Sequence, residues 1–143
     1  YDTTLWNGVT GCGAKIQGIC PAGWHIPSDF SADCSPTEDD FEGLGAVAST
    51  TVGGALKKVN TSSGVPWIEP NTGATNASNW TGYPAGYYSG GSFLARGVFG
   101  DFWSSSEINA SFAWNRVLHY GNAAFGRSNN DKTVGFSVRC VKD

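Results

Sequence analysis

The sequence has little charge, few histidines and no long apolar stretch, and it contains no methionine. Only 15% of its 143 residues are charged, the formal net charge is -3, and the nine Lys and Arg residues do not cluster. A chain of this kind has no basic surface to gather phosphates, so nucleic acid is not an expected partner. No apolar run approaches the roughly 18 residues that a spanning helix requires. We therefore expect no direct membrane insertion of this segment.

The same scarcity argues against catalysis. The sequence has two histidines and no Cys-x-x-Cys pair, and we recognise no Ser-His-Asp or Cys-His set. We predict a domain that is not an enzyme, with no cofactor and no metal site. His25, between Trp24 and Ile26, is interpreted as a hydrogen-bonded structural residue. The chain does not begin with Met, and we expect it to be the mature part or an excised domain of a longer protein.

The four cysteines stand at positions 12, 20, 34 and 140. An even number of cysteines together with the absence of Met fits an oxidising compartment, where cysteines form disulfides. Four cysteines allow three pairings, and the spacing alone does not choose among them.

Glycine and aromatic residues are the abundant classes. There are 20 Gly residues, and 13% of the chain is aromatic, including six Trp. Glycine opposes regular helix and aromatic residues favour sheet, so we predict one domain over 1–143, rich in loops. The region 60–100 has too many aromatic residues for a linker. We expect a structured loop there with inward-pointing rings: Trp67, Trp80, Tyr83, Tyr87, Tyr88, Phe93 and Phe99.

Two helices are predicted in the first half. Ser35 and Glu38 match a capping box, and Phe41, Leu44 and Val47 follow at helical spacing, which predicts a helix over 36–48. A second, short helix is expected near 54–59.

The last third alternates as strands do. In Phe112–Tyr120 the bulkier set, which we expect in the core, is Trp114, Arg116, Leu118 and Tyr120. The opposite set, Asn115, Val117 and His119, is then expected to face solvent. Gly121-Asn122 predicts a two-residue hairpin turn into a strand at Ala123–Arg127. Val134–Val141 predicts a central strand that ends the domain, with one side formed by Val134, Phe136, Val138 and Cys140.

Several motifs of the chain resemble one known family. They are Cys20–Pro27, Pro70–Asn76, Tyr83–Tyr87, Phe102–Glu107, Ala113-Trp114 and Gly135–Asp143. Together they resemble the Fibrobacter succinogenes major paralogous domain, a bacterial surface module related to the C-type-lectin fold. The resemblance covers about residues 18–143 and leaves 1–17 as an N-terminal extension. It implies an α+β, C-type-lectin-like fold in which one or two short helices pack on small antiparallel sheets with long structured loops.

The resemblance also implies a disulfide framework and a location. Cys20 and Cys140 would form one disulfide, which leaves Cys12 and Cys34 as the second pair. The expected location is extracellular or at a cell surface, including a pilus or a phage tail tip.

Domains with this Trp-Ser-Ser to Gly-Phe-Ser-Val-Arg-Cys block also resemble variable proteins of diversity-generating retroelements, which randomise codons of a ligand-binding surface. We predict an adhesin or receptor-binding domain whose partner is a protein or a glycan. The alternative is a structural surface or assembly domain without a specific ligand. The strand pattern and its flanking turns give the candidate ligand-binding positions: Ile108, Asn109, Ser111, Phe112, Asn115, Val117, His119, Asn122, Phe125, Ser128, Asn129 and Asn130.

One tripeptide resembles a calcium site of mannose-type lectins. Glu69-Pro70-Asn71 matches the segment that supplies oxygen ligands in those proteins. The expected partner strand carries Arg116 where a carboxylate is required. Because a cation repels the ion, calcium-dependent carbohydrate binding is the weakest of the alternatives.

Overall fold

A computed structural model describes residues 6, 15–29, 40–41, 43, 50–61 and 64–143 of the chain. Its elements, in chain order, are β1 (Trp24–His25), α1 (Val52–Leu56), β2 (Tyr87–Ser89), β3 (Ser92–Leu94), β4 (Phe99–Glu107), β5 (Phe112–His119), β6 (Gly126–Asp131) and β7 (Val141–Lys142). Within these residues, no helix has the length and apolar character needed to cross a membrane.

The largest sheet is antiparallel and has the order β4-β5-β6. Two smaller antiparallel sheets pair β1 with β7 and β2 with β3. This arrangement confirms the prediction of small antiparallel sheets joined by long structured loops. Helix is scarce in the described residues, since α1 has only five residues.

The first core cluster lies on one face of the large sheet. Phe102 of β4 and Leu118 of β5 project from this face, and both are buried. Gly100 lets Trp67 approach the sheet, because an added Cβ would lie 3.3 Å from the Trp67 ring and 2.7 Å from a backbone oxygen. The cluster consists of Phe41, Leu56, Trp67, Trp80, Phe102, Leu118 and Phe125.

The aromatic residues of the 60–100 region differ in how far they are buried. Trp67 and Trp80 are buried, as predicted. The prediction of inward-pointing rings is wrong for three others, because Tyr83, Tyr88 and Phe93 are exposed. Phe93 is the extreme case, with 83% of its surface accessible on the short β2–β3 hairpin.

A second core cluster covers part of the opposite face of the sheet. It contains Trp6, Cys20, Ile26, Trp103 and Ala113, with Val134, Phe136, Val138 and Cys140 packed against it. The Cys20–Cys140 disulfide is present, which confirms that predicted pair. Trp6 was assigned to an N-terminal extension, yet its ring packs edge-to-face on Trp103 at 5.1 Å and its indole N–H donates to the Ser104 carbonyl.

The segment 134–140 is not the predicted central strand. It makes only isolated bridges, Tyr88 with Gly135 and Phe102 with Ser137, and the strand that follows is the two-residue β7. Ser137 exchanges backbone hydrogen bonds with Asp101 and Trp103, so the segment lies along the outer edge of β4. The predicted alternation holds, because its apolar side chains face the second cluster.

The connection after β5 also differs from the predicted two-residue hairpin. β5 ends at His119 and β6 begins at Gly126, so a loop replaces the predicted strand over 123–125. The buried Lys57 ammonium group holds this loop by donating to the carbonyls of His119 and Asn122, at 3.1 and 2.9 Å, and to that of Thr72 at 2.8 Å. The loop is long enough for Phe125 to turn back into the core.

Helix α1 begins two residues before the predicted short helix. Gly53 permits its packing, because a Cβ there would lie 2.1 Å from the Ala124 carbonyl oxygen. Of the predicted helix over 36–48, only Asp40, Phe41 and Gly43 are described, and that prediction lies otherwise outside the described residues. Cys12 and Cys34 also lie outside them.

Candidate functional site

A pocket of about 350 Å³ opens on the face of the large sheet that carries the second cluster. The second cluster covers one end of this face, and the pocket occupies the other. Its floor is the cross-strand pair of Asp101 on β4 and Val117 on β5. Its walls come from β2, β4, β6 and the segment along the edge of β4, and they are Tyr87, Ser89, Phe99, Ser128, Asn130, Val134 and Phe136.

Three of the seven wall residues are aromatic. Tyr87 and Phe136 meet edge-to-face with their ring centres 6.3 Å apart, and Phe136 also packs on Trp103 at 4.5 Å. Phe99 stacks on His119 at 4.9 Å, which fixes the other side. Rings held by neighbouring rings keep the pocket formed without a ligand.

Asp101 supplies the single carboxyl group in the pocket lining. Its residue is only 6% exposed, and burial raises the pKa of its carboxyl to about 7. The cause is desolvation, which disfavours the charged form. Near neutral pH the carboxyl therefore exists in both protonation states.

The side-chain amides of Asn115 and Asn130 form a short hydrogen-bonded chain that ends at the Asp101 carboxyl. The Asn115 side-chain N–H group donates to Asp101 Oδ1 over 3.4 Å, and the Asn115 oxygen accepts from the Asn130 amide at 3.0 Å. These contacts link one residue from each strand of the sheet. They orient the Asn130 amide at the rim and the Asp101 carboxyl at the floor.

The structure brings only part of the predicted ligand-binding set to this pocket. Val117, Ser128 and Asn130 line it, and His119 lies next to it against Phe99. Four predicted positions lie in and beside the exposed β4–β5 turn, where Asn109 Oδ1 accepts hydrogen bonds from the amides of Ser111 and Phe112. They are Ile108, Asn109, Ser111 and Phe112.

The remaining predicted positions lie elsewhere. Asn122 is exposed in the loop at the far end of β5, and Asn129 is exposed beside Trp114 on the opposite face of the sheet. Two predictions of solvent exposure are wrong. Asn115 is fully buried because residues of β6 and the second cluster cover its face, and Phe125 is buried in the first cluster.

Sequence reasoning missed six residues of the pocket lining, and they are Tyr87, Ser89, Phe99, Asp101, Val134 and Phe136. A signal for Asp101 was available. Phe99, Asp101 and Trp103 share one face of a strand by alternation, so a carboxylate stands between two aromatic residues on a face that should be buried. No such signal places the rings of Tyr87 and Phe136, since they reach the pocket from distant parts of the chain.

A comparison with family models tests the family resemblance that the motifs suggest. The model of the Fibrobacter succinogenes major domain matches residues 6–142. The chain belongs to this family. The match begins at residue 6, so the family region includes Trp6 and not only the predicted 18–143. No curated protein and no solved structure shows a significant match.

His25, in the Cys20–Pro27 motif, lies between two carboxylates of this chain. His25 is buried, its Nδ1 lies 2.7 Å from Asp143 Oδ1, and its Nε2 lies 3.1 Å from Asp40 Oδ2. Both ring nitrogens face carboxylates, and β1 is thereby tied to the end of the described chain. These contacts confirm the prediction that His25 is hydrogen-bonded.

The lectin-like tripeptide is engaged in hydrogen bonds within the protein. Glu69 Oε1 accepts from the Asn60 amide at 2.9 Å, and the Asn71 amide donates to the Lys58 carbonyl at 3.2 Å. Arg116 turns to the core face of the sheet, where it pairs with Asp29. Among the described residues no group of three potential metal-binding side chains occurs.

Proposed function

We propose that this domain is a surface-displayed ligand-binding module, and that it holds its ligand in the pocket above Asp101 and Val117. The observation that carries the proposal is the combination of aromatic walls with a few convergent polar groups in one preformed concavity. Binding sites for small ligands and for protruding side chains are typically mostly apolar pockets of roughly 300–1,000 Å³ with a few placed polar groups.

The Cys20–Cys140 disulfide supports an extracellular location for this module. Disulfides form and persist in oxidising compartments and are rare where thiols are kept reduced. The partner is a protein or a glycan at another surface, which reaches the pocket through the rim formed by Ser128 and Asn130. We propose a C-type-lectin-like arrangement for the whole domain, on the motifs quoted above.

The binding function is tested with a matched pair of variants on β6. Ser128 points into the pocket and its neighbour Asn129 points to the opposite face. Ser128→Phe fills the pocket without adding charge, and Asn129→Phe adds the same ring outside it. Wild-type domain is screened on arrays of defined glycans and peptides, and each ligand found is titrated against both variants.

The expected result is that Ser128→Phe weakens binding at least about tenfold, the loss expected when a central contact is blocked. Asn129→Phe should bind as wild type does. Circular dichroism and melting curves check that both variants are folded. Equal binding by the three proteins would refute the pocket as the site, and the absence of any ligand on the arrays would favour a structural or assembly domain.

We also propose that the pocket rim and the β4–β5 turn are the surfaces available for diversification by a retroelement. Substitutions there leave both core clusters intact, whereas Asn115 and Phe125 are excluded by their burial. Sequencing the same locus in several isolates tests this. Codon variation concentrated at positions of the turn and the pocket rim, such as Ile108, Ser128 and Asn130, is expected, and variation spread evenly over the chain would contradict it.

A further inference from the structure

Two carboxylates on or beside the large sheet are buried, and only one of them is paired with cationic side chains. Asp29 is fully buried and lies 2.6 Å from an Arg116 nitrogen and 3.2 Å from Arg127 Nε. Asp101 is nearly as buried, at 6% exposure, yet no described Lys, Arg or His lies within ion-pair distance of its carboxyl. Its only side-chain hydrogen bond among the described residues is the 3.4 Å contact from Asn115.

A buried carboxylate requires compensation for the hydration that it loses. Within the fold Asp29 receives it from two guanidinium groups. Asp101 instead lines an open pocket, so a ligand can supply the missing positive charge. An anionic ligand would repel the carboxylate, and an uncharged ligand would supply no counter-charge.

The walls of the pocket favour the same kind of ligand. The rings of Tyr87, Phe99 and Phe136 surround the space above Asp101, and no Lys or Arg is among the lining residues. The face of an aromatic ring carries negative electrostatic potential and attracts cations, most strongly where water is excluded. A carboxylate at the floor and rings at the sides form a site suited to an ammonium ion on an apolar stem.

We propose that this pocket binds an alkylammonium group, with the Asp101 carboxylate as its counterion and the rings of Tyr87 and Phe136 against its stem. The proposal rests on the proposed binding function and names the ligand class for that site. Two sources share this chemistry: a lysine side chain that projects from a protein partner, and a free alkylamine.

Burial raises the pKa of Asp101 to about 7, and this makes binding dependent on pH. An alkylamine stays protonated well above that pH, so only the ionised form of Asp101 binds it strongly. Affinity should therefore be level above pH 8 and fall about tenfold for each pH unit below 7. The other titratable groups nearby are Tyr87 in the lining and His119 beside Phe99.

The test is a titration of ¹⁵N-labelled domain followed by NMR, with n-butylammonium and with Nα-acetyl-lysine methylamide. The neutral controls are 1-butanol and the Nε-acetylated lysine compound, which keep the stem and lose the charge. Three proteins are compared at pH 8 and pH 5.5: wild type, Asp101→Asn and His119→Gln. Asp101→Asn keeps the shape of the side chain and removes only its charge.

We expect saturable shifts of the Val117 amide and the Asn130 side-chain amide with both ammonium probes and not with the neutral ones. Asp101→Asn should weaken binding at least tenfold and abolish its pH dependence, whereas His119→Gln should retain the pH dependence. A stronger effect of the lysine compound identifies a protein partner as the source. Equal effects of the two probes identify a free amine.

Two results would overturn the proposal. One is that neither ammonium probe gives saturable shifts, and the other is that Asp101→Asn binds them as wild type does. The binding function itself is judged separately by the Ser128→Phe and Asn129→Phe pair. If uncharged array ligands depend on Ser128 while the ammonium probes do not bind, the ammonium proposal fails and the binding function stands.

Discussion

Arg116 donates two hydrogen bonds to the carboxylate of Asp29, from Nε to Oδ2 at 2.9 Å and from Nη2 to Oδ1 at 2.6 Å. Both side chains are almost completely buried. The pair links β5 to the segment that follows β1, and the Arg127 guanidinium stacks on Trp114 and lies close to the same carboxylate.

Removing one partner should therefore destabilise the domain strongly. Asp29→Ala leaves two guanidinium groups without this carboxylate, and the loss of one member of a buried ion pair typically costs about 3–5 kcal/mol. Urea unfolding monitored by Trp fluorescence measures the change. Lys15→Ala, in the exposed pair with Asp143, is the control and should cost less than about 0.5 kcal/mol. A change below 1 kcal/mol in Asp29→Ala would contradict the role of the pair.

The register of β5 gives a second prediction from neighbouring residues. Leu118 is fully buried in the first cluster, so Leu118→Ala should cost about 2–5 kcal/mol by leaving a cavity. Val117 lies half-buried at the pocket floor, and Val117→Ala should cost less than about 1.5 kcal/mol. Asn115→Ala should cost about 1–3 kcal/mol, because Asn130 loses its buried acceptor. Thermal unfolding of the three variants compares them, and a larger effect at Val117 than at Leu118 would contradict this register.

The Cys20–Cys140 disulfide closes a loop with a sequence separation of 120 residues. In the chain-entropy model a loop of that length contributes about 5 kcal/mol by restricting the unfolded chain. The double variant Cys20→Ala with Cys140→Ala should lose a similar amount of stability in urea unfolding. Peptide mapping of the unreduced protein checks the pairing, and the resemblance predicts that it also yields Cys12 linked to Cys34. A Cys12–Cys20 link would refute this framework.

Asp101 should make the stability of the domain depend on pH. Its carboxyl has an ordinary pKa near 3.8 in the unfolded chain and a pKa of about 7 when folded. Between these values the folded state holds a proton that the unfolded state has released, so stability should fall as pH rises from 4 to 7. Asp101→Asn should remove this fall and stabilise the domain at pH 8 by about 2–4 kcal/mol.

Asp131→Asn is the control of opposite sign. Hydrogen bonds from the Thr133 hydroxyl and amide lower the pKa of the Asp131 carboxyl, so its contribution is present at neutral pH and is lost in acid. Melting temperatures measured from pH 2 to pH 9 compare the variants with wild type. If Asp101→Asn followed the wild-type curve throughout, Asp101 would not be the titrating group.

Chelation should leave the melting temperature unchanged. Glu69 and Asn71 use their side chains in hydrogen bonds to Asn60 and Lys58, and Arg116 holds Asp29. Calcium requires several oxygen ligands that converge on the ion, and the described residues contain no group of three His, Cys, Asp or Glu side chains that could hold one. Melting curves with and without excess EDTA are the measurement. A loss of several degrees that added calcium restores would show that the tripeptide binds the ion.

The sequence allowed β5 to be predicted because alternation over 112–120 is a local property of the chain. Alternation identifies two faces but does not say whether both are covered. Leu118 is buried as predicted, and Asn115 on the other face is buried as well, because that face carries the second cluster as a further layer. That layer is built from parts of the chain that are distant in sequence.

The loop after β5 was mispredicted for a similar reason. Gly121-Asn122 is a strong local signal for a two-residue turn. The Lys57 ammonium group, more than sixty residues earlier, binds the carbonyls of His119 and Asn122 and holds a wider loop. Phe125 then reaches the core beside Phe41, and the strand begins only at Gly126. A lysine buried among carbonyls has no recognisable sequence pattern.

Lys57 also supplies the positive charge that holds the loops around it. Three carbonyl oxygens from two segments of the chain converge on one positive charge, much as oxygen ligands converge on a bound calcium ion. Here the cation is part of the polypeptide and cannot diffuse away. Dilution, chelation or competition between ions therefore cannot remove this cation from the loops.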